Sequence, residues 1–434
     1  MYLTILGYLM IIIFMVLIMT KKLSPLTALL VVPVAFGLIA GGGWNVAKWA
    51  MDGIKGVSST FSMMVFAILF FSIMLKAGLF DPLVAKVLKV VKGDPLKVLV
   101  GTAILATVVS LDGDGSTTTM IVCSALYPIY DRLKIKKVYL AAIIGLQNSI
   151  MNLVPWGGPT ARVMSVMKLD ASVIFPPLVP NMVVGILYGI GVAYYIGRKE
   201  RKRLGIVNIE SSTIGGKVDL SDEEAVLKRP KMIIPNLILT IAVIALLISG
   251  IAASTVLFAV GAAIALLLNY PSFKDQRKVI SLNSSAILNV VVMIIGAGIL
   301  MGVLDGSGMS DGIAKSLISA VPPSMSRYFC VFIALISVPG TFFLSNDAFY
   351  YGMMPALAKA GMAYGFSPLQ ISISSLTGMS FHFLSPLVAF LYLLFEMSGT
   401  DLREYQIYTV RWMVGTFAIF MAIGLLTGGI PIMA

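Results

Sequence analysis

Ser110-Leu111-Asp112-Gly113-Asp114-Gly115-Ser116-Thr117-Thr118-Thr119 interrupts an apolar run that extends from about residue 98 to 130. Two carboxylates and two glycines inside such a run exclude a plain helical span. The arm from Val98 to Val109 reaches about 18 Å as helix, roughly half of a bilayer. The run therefore predicts a re-entrant hairpin with its tip near the midplane. An unpaired carboxylate at that depth costs ~2.5 to 3.5 kcal/mol, so a metal, a proton or an arginine has to meet Asp112 and Asp114. The plainer alternative is that both acids cap the second arm, since Asp, Ser and Thr are N-cap residues and glycine supplies the turn. One cap would suffice, which favours a role beyond capping.

Outward from this tip, the composition is that of a membrane protein. Of 434 residues, 58% are hydrophobic and 12% charged, and the mean hydropathy is +0.96. Soluble domains carry about twice that charged fraction, so soluble, disordered and nucleic-acid-binding classes are excluded despite a net charge of +12. Spans of about 20 apolar residues fall near 2–20, 25–43, 58–78, 138–168 (interrupted), 173–196, 233–251, 254–270, 286–304, 367–397 (interrupted) and 409–428. A second broken run, near 328–365, reads as a second re-entrant hairpin. Tyr2 to Met19 is read as a retained first span and not a signal peptide, because Lys21-Lys22 follows it and no basic residue precedes it. Cys123 and Cys330 lie in apolar surroundings and make neither a disulfide framework nor a metal site.

If the first helix runs from outside to inside and both broken runs return to their side of origin, 24 of the 32 Lys and Arg residues fall in cytoplasmic loops. These include Lys86, Lys89, Lys92 and Lys97, and the stretch Arg198 to Lys231. Counting either hairpin as a full span spoils that asymmetry. Both termini are then expected outside. The two halves also match at a nearly constant shift: Thr27 with Thr255, Gly78 and Asp81 with Gly308 and Asp311, Pro128 with Pro355, Pro159 with Pro386. Each half holds five spans, an odd number, so the second half must be inverted. The expected fold is an all-α polytopic membrane protein of two inverted five-span repeats, each with a re-entrant hairpin and an interrupted helix, which is a transporter pattern. The expected divisions are 1–197 for the first repeat, 198–231 for a cytoplasmic linker and 232–434 for the second repeat. The helical stretch near Trp44 to Val57, and its counterpart near the loop at Lys274 to Leu282, are expected at the membrane surface, bracing the scaffold.

Irregular backbone inside a bilayer is tolerated only where protein or a wet cavity satisfies it, so the remaining interruptions are also site candidates. Asn148 to Arg162 carries Asn152, Pro155, Trp156, Gly157, Gly158, Pro159 and Thr160. A half-helix starting near Pro159 would aim its N-terminus at an anion, and Arg162, one turn in, has the planar fork suited to a carboxylate. The competing role for Arg162 is to snorkel outward or to neutralise the hairpin acids, and that for Trp156 is to sit at the interface or to pack. Pro339 to Asp347 forms the second tip, with Asp347 as the matching acid or, alternatively, a helix cap, and Ser345 and Asn346 as neutral donors. Gly378 to Pro386 holds Ser385 and the only histidine, His382, which suits a proton switch or a packed, hydrogen-bonded role.

The segments Leu111-Asp112-Gly113-Asp114-Gly115, Pro155-Trp156-Gly157-Gly158-Pro159-Thr160-Ala161-Arg162, Leu344-Ser345-Asn346-Asp347-Ala348-Phe349 and His382-Phe383-Leu384-Ser385-Pro386-Leu387-Val388 resemble those of the citrate-metal/proton symporters, the CitMHS family of the ion-transporter superfamily. The resemblance spans nearly the whole chain. It implies proton-driven uptake of citrate complexed with a divalent cation of the Mg or Ca type, with no permanently bound cofactor. It further implies a multi-pass protein of a bacterial plasma membrane, and a homodimer in which a transport half moves against a scaffold half in elevator fashion.

The residues themselves point to a solute bearing both signs of charge. Asp112, Asp114 and Asp347 are expected to meet the cation or carry protons, with His382 also eligible for the proton. Arg162, Thr160, Asn148 and Asn152 would hold carboxylates, and Gly157, Gly158, Ser116, Thr117, Ser345, Asn346 and Ser385 complete the substrate site. A sodium- or proton-coupled carrier of a free di- or tricarboxylate is the nearest rival. A channel lacks a continuous polar path, and an intramembrane enzyme lacks a recognisable motif beyond the pair Asp112 and Asp114.

Overall fold

Small polar residues and prolines set the helix starts. Ser24, Asp94, Asp114, Asp170, Ser367 and Asp401 each accept a backbone N–H of the following first turn, and proline follows directly after Ser24, Asp94 and Ser367. The structure is a computed structural model that describes residues 1–91, 93–206, 226–320 and 326–433. Lys92, and residues 207–225 with Lys217, which belong to the expected linker and to the loop charges, lie outside the described residues.

The first half comprises α1 (Tyr2–Met19), α2 (Pro25–Ile39), α3 (Asn45–Gly56), α4 (Ser58–Ala77), α5 (Asp81–Val91), α6 (Pro95–Val109), α7 (Gly115–Arg132), α8 (Lys137–Met151), α9 (Gly158–Met167) and α10 (Ala171–Leu204). The second comprises α11 (Ile233–Ser249), α12 (Ser254–Asn269), α13 (Phe273–Gly306), α14 (Met309–Ala320), α15 (Phe329–Phe343), α16 (Met354–Ala363), α17 (Pro368–Leu376), α18 (Met379–His382), α19 (Ala389–Ser398) and α20 (Leu402–Leu426). Among the described residues, seven helices are long and apolar enough to cross a bilayer. Large apolar side chains such as Leu187, Ile234, Ile241 and Leu267 are exposed, as the surface of a protein solvated by lipid requires. The chain is an all-α polytopic membrane protein.

Helices α1 to α4 pack chiefly with α11 to α14 as a frame, while the hairpins, the broken helices, α10 and α20 form a second bundle. The halves exchange partners: α4 lies on α12 as α13 lies on α2, and α7 lies on α19 as α16 lies on α9. In the first hairpin Thr102 bonds Tyr130 (2.9 Å) and Ser110 bonds Thr118 (3.0 Å). Pairs whose numbers rise on one arm as they fall on the other make α6 and α7 antiparallel. Phe329 beside Tyr364 (5.1 Å between rings) sets α15 and α16 the same way.

Three stretches differ from the sequence reading. The first arm, α6, is longer than expected, because Asp94 caps it and Pro95 opens it. Together with the turn that follows, Pro95–Asp112 is itself long enough to cross a bilayer. Lys274 to Leu282, read as a loop, forms the first turns of the 34-residue α13; Lys, Arg and Gln there lower hydropathy while favouring helix. Likewise α10 runs past the boundary expected at 197/198, through Leu204. Its last turns are held by Arg201 on Asp94 (Nε to Oδ1 2.8 Å) and Arg203 on the Lys134 carbonyl (3.0 Å).

Candidate substrate site

Between the two bundles lies a cavity of about 1080 Å³. Its bundle wall carries Asp112, Asp114, Thr117, Gly158, Arg162 and Asp347. Its frame wall includes Phe71 and Ser72 of α4 and Asn283 and Asn289 of α13.

The first tip is built by its acids. Asp112 Oδ1 accepts the N–H of Asp114 (2.9 Å), closing a turn in which Gly113 takes φ +81°. Asp114 caps α7, accepting from the N–H groups of Ser116 (3.2 Å) and Thr117 (2.9 Å) and from the Thr117 hydroxyl (2.6 Å). Asp114 is thus engaged as a cap, whereas Asp112 Oδ2 has no partner among the described residues.

The tip is fixed to the first broken helix. Trp156 donates from Nε1 to the Leu111 carbonyl (2.8 Å), stacks on Phe71 (4.5 Å) and meets Phe258 edge-on (5.3 Å). Trp156 therefore packs and positions. Thr160 donates to the Leu153 carbonyl (3.0 Å) across the break. A Cβ at Gly157 would collide with the Asn152 carbonyl, so only glycine fits this turn.

Arg162 faces the second tip. Its Nε donates to Asp347 Oδ1 at 2.7 Å, its Nη1 donates to the Gly158 carbonyl (2.9 Å), and its guanidinium carbon lies 5.9 Å from the centre of the Tyr351 ring. Nη2 has no partner among the described residues. The side chains of Arg162 and Asp347 are 23% and 15% exposed, so the pair is largely removed from solvent yet reachable from the cavity. After Asp347 the chain passes through a π-helical turn, Ala348–Met353, which carries Tyr351 onto the wall.

The other expected residues stand back from the wall. Ser345 Oγ accepts the N–H of Ala348 (3.2 Å) and Ser385 Oγ that of Leu387 (3.2 Å), so both shape turns. Asn148 Nδ2 and Asn346 Oδ1 are buried without a partner. Asn152, Ser116, Gly157 and Thr160 are likewise not on the wall. His382 is buried, with Nδ1 2.8 Å from the Thr341 carbonyl. A carbonyl only accepts, so Nδ1 carries the proton. Among the described residues no three His, Cys, Asp or Glu side chains gather as a metal cage.

The sequence reading missed Tyr351, Asn283, Asn289 and Ser72. Two asparagines in one long apolar helix were the available signal for the frame wall. Nothing local marks Tyr351 or Ser72.

The citrate transporter family CitMHS matches residues 14–378. A citrate transporter of Bacillus subtilis (strain 168) is 47% identical over 427 residues, covering 98% of this chain and 99% of that one. A protein of the same organism named Mg(2+)/citrate complex secondary transporter is 43% identical over 431 residues, covering 99% of each. Among solved structures, the YdaH transporter of Alcanivorax borkumensis, described as having an unusual topology, aligns with TM-score 0.60 at 14% identity over 91% of this chain and 90% of that one. That likeness concerns the fold alone. The family match spans most of the chain, and its whole-length relatives are transporters and not enzymes. A chain with this fold, and with an arginine and carboxylates facing one cavity, belongs to the CitMHS family of citrate transporters.

Proposed function

We propose that the protein is a secondary transporter that imports citrate as a complex with a divalent cation, coupled to protons, by alternating access. The observation that carries this reading is the Arg162–Asp347 pair on the wall of a cavity that also exposes Asp112. An anion and a cation arriving together find partners of both signs there. A cargo carboxylate that takes the guanidinium in charge-assisted bonds displaces Asp347, which is then free to meet the cation or accept a proton. The cation prefers hard oxygen ligands and keeps waters or carboxylates around it. Most of its ligands then belong to the cargo, which fits a site where no three His, Cys, Asp or Glu side chains gather among the described residues. The relative named for a Mg(2+)/citrate complex supports a magnesium-type cation.

Movement is assigned to the bundle of hairpins and broken helices, sliding against the frame of α1 to α4 and α11 to α14 as in other inverted-repeat carriers. The tip at Asp112 touches the break at Trp156, which supports a hairpin that turns back inside the membrane. The loop charges support an orientation with the linker in the cytoplasm and both termini outside. Asp112, Asp347 and His382 remain the eligible proton carriers, and a homodimer joined through the frame is the assembly that the family resemblance implies.

The test is labelled-citrate uptake into proteoliposomes under an inward proton gradient, with magnesium present and then chelated. Uptake is expected to require both. Uptake that persists in chelator, or follows sodium alone, makes the protein a carrier of free carboxylates.

A further inference from the structure

The described end of the linker is built into the cavity mouth. Leu227 is buried, and its carbonyl accepts the Tyr270 hydroxyl (2.9 Å). Arg229 donates its backbone N–H to the Ala77 carbonyl (2.9 Å) and its Nε to the Asn269 carbonyl (2.7 Å), and it covers the Tyr270 ring at 4.7 Å. Asn269 is itself locked to Asn236 by reciprocal amide bonds of 2.8 Å. Both neighbours of Lys228 are therefore fastened to the ends of α4 and α12.

Lys228, between them, lines the cavity, with its ammonium 2.9 Å from Asp81 Oδ1 and 2.8 Å from Oδ2. Lys76 lines the same mouth. Asp81 is 55% exposed and the Lys228 side chain 23%, which places the pair where the cavity meets solvent. An exposed ion pair contributes little to stability, and the flanking anchors hold the segment without it. Two lysines, Lys76 and Lys228, thus line the mouth that also holds Asp81. Along α4, Phe71 touches Trp156 beside the deep site and Ala77 stands at the mouth, a rise of about 9 Å.

We propose that Lys228, with Lys76, forms an outer subsite for a polycarboxylate anion or its metal complex, which the cargo occupies on its way to or from Arg162. Asp81 is the internal competitor that holds Lys228 while the mouth is empty. This rests on the reading of the cavity as the cargo path.

The experiment uses the full chain in proteoliposomes and in detergent, with labelled citrate and magnesium. Lys228→Gln is expected to raise the KM for cargo arriving at this mouth about threefold to tenfold, with kcat little changed, and to flatten the salt dependence, as removing a rim charge does. Lys228→Arg restores the wild-type value. Asp81→Asn acts in the opposite direction, lowering KM, and the double variant behaves as Lys228→Gln alone. If the pair were only a brace, both single variants would lose transport together, and that outcome overturns the subsite. Unchanged KM in both variants overturns it equally. Should Lys228→Gln fail to fold, Asp81→Asn decides by the sign of its effect. Wild-type protein that carries no citrate overturns the transport reading itself, a different result from active wild type with indifferent variants.

Discussion

Arg162 and Asp347 are 185 positions apart, yet their side chains meet at 2.7 Å. Each offsets part of the cost of burying the other, and together they join the first broken helix to the second hairpin tip. Arg162→Lys keeps the charge but loses the fork, and the KM for citrate is expected to rise at least about tenfold, the equivalent of ~1.4 kcal/mol. Transport kinetics in proteoliposomes check this, and unaltered affinity would show that the fork is not used. Asp112→Asn and Asp347→Asn are each expected to impair metal-dependent uptake; if both leave it unchanged, neither acid serves the cation or the proton. For His382, whose Nδ1 is occupied by the Thr341 carbonyl, a His382→Gln variant with an unaltered pH profile and full accumulation would remove the ring from proton transfer.

At the scale of elements, α3 and α13 show why small residues recur in this chain. A Cβ at Gly53 would strike the Gly298 carbonyl, and one at Gly302 would strike the Trp49 carbonyl. The two helices touch backbone to backbone, as small residues spaced four apart allow in membranes. Gly302→Leu is expected to destabilise the protein by roughly 1 to 3 kcal/mol, the usual cost of overpacking, read as a lower thermal midpoint in detergent.

Asp170 ties the bundle to the frame at the opposite end of α4. It caps α10 through the Ser172 N–H (2.9 Å) and hydroxyl (2.7 Å), and it accepts from Ser254 of α12 (2.8 Å). Burial pushes its carboxyl up, but the Ser172 and Ser254 hydrogen bonds outweigh that and hold it below the ordinary 3.8. A lowered value in the folded state means that this contribution is complete above about pH 4 and disappears as pH falls through the lower folded value. Asp170→Asn is therefore expected to show a smaller acid-induced loss of thermal stability than wild type. An equal loss in both proteins would remove Asp170 as its cause.

For the whole molecule, the cavity opens beside Lys76, Asp81 and Lys228, the face expected from the loop charges to be cytoplasmic. Ser72→Cys on its wall, with Cys123 and Cys330 both buried, should react with an impermeant maleimide added from that face. Citrate with magnesium should slow the labelling. Labelling only from the other face would reverse the orientation.

How much was legible follows from where each cause lies. The breaks at Asp112, Gly157 and Asp347 could be read directly, because glycine, proline or a carboxylate in an apolar run has a local physical cost that admits few explanations. The helical class followed from hydropathy for the same reason. Lys274 to Leu282 misled because hydropathy falls where helix propensity does not. The pairing of Arg162 with Asp347, the engagement of Asp114 as a cap, the withdrawal of Asn148 and His382 from the wall, and the seating of Lys228 at the mouth were decided only by tertiary structure. Each depends on how helices distant in the chain are rotated and docked against one another, and no local pattern encodes that.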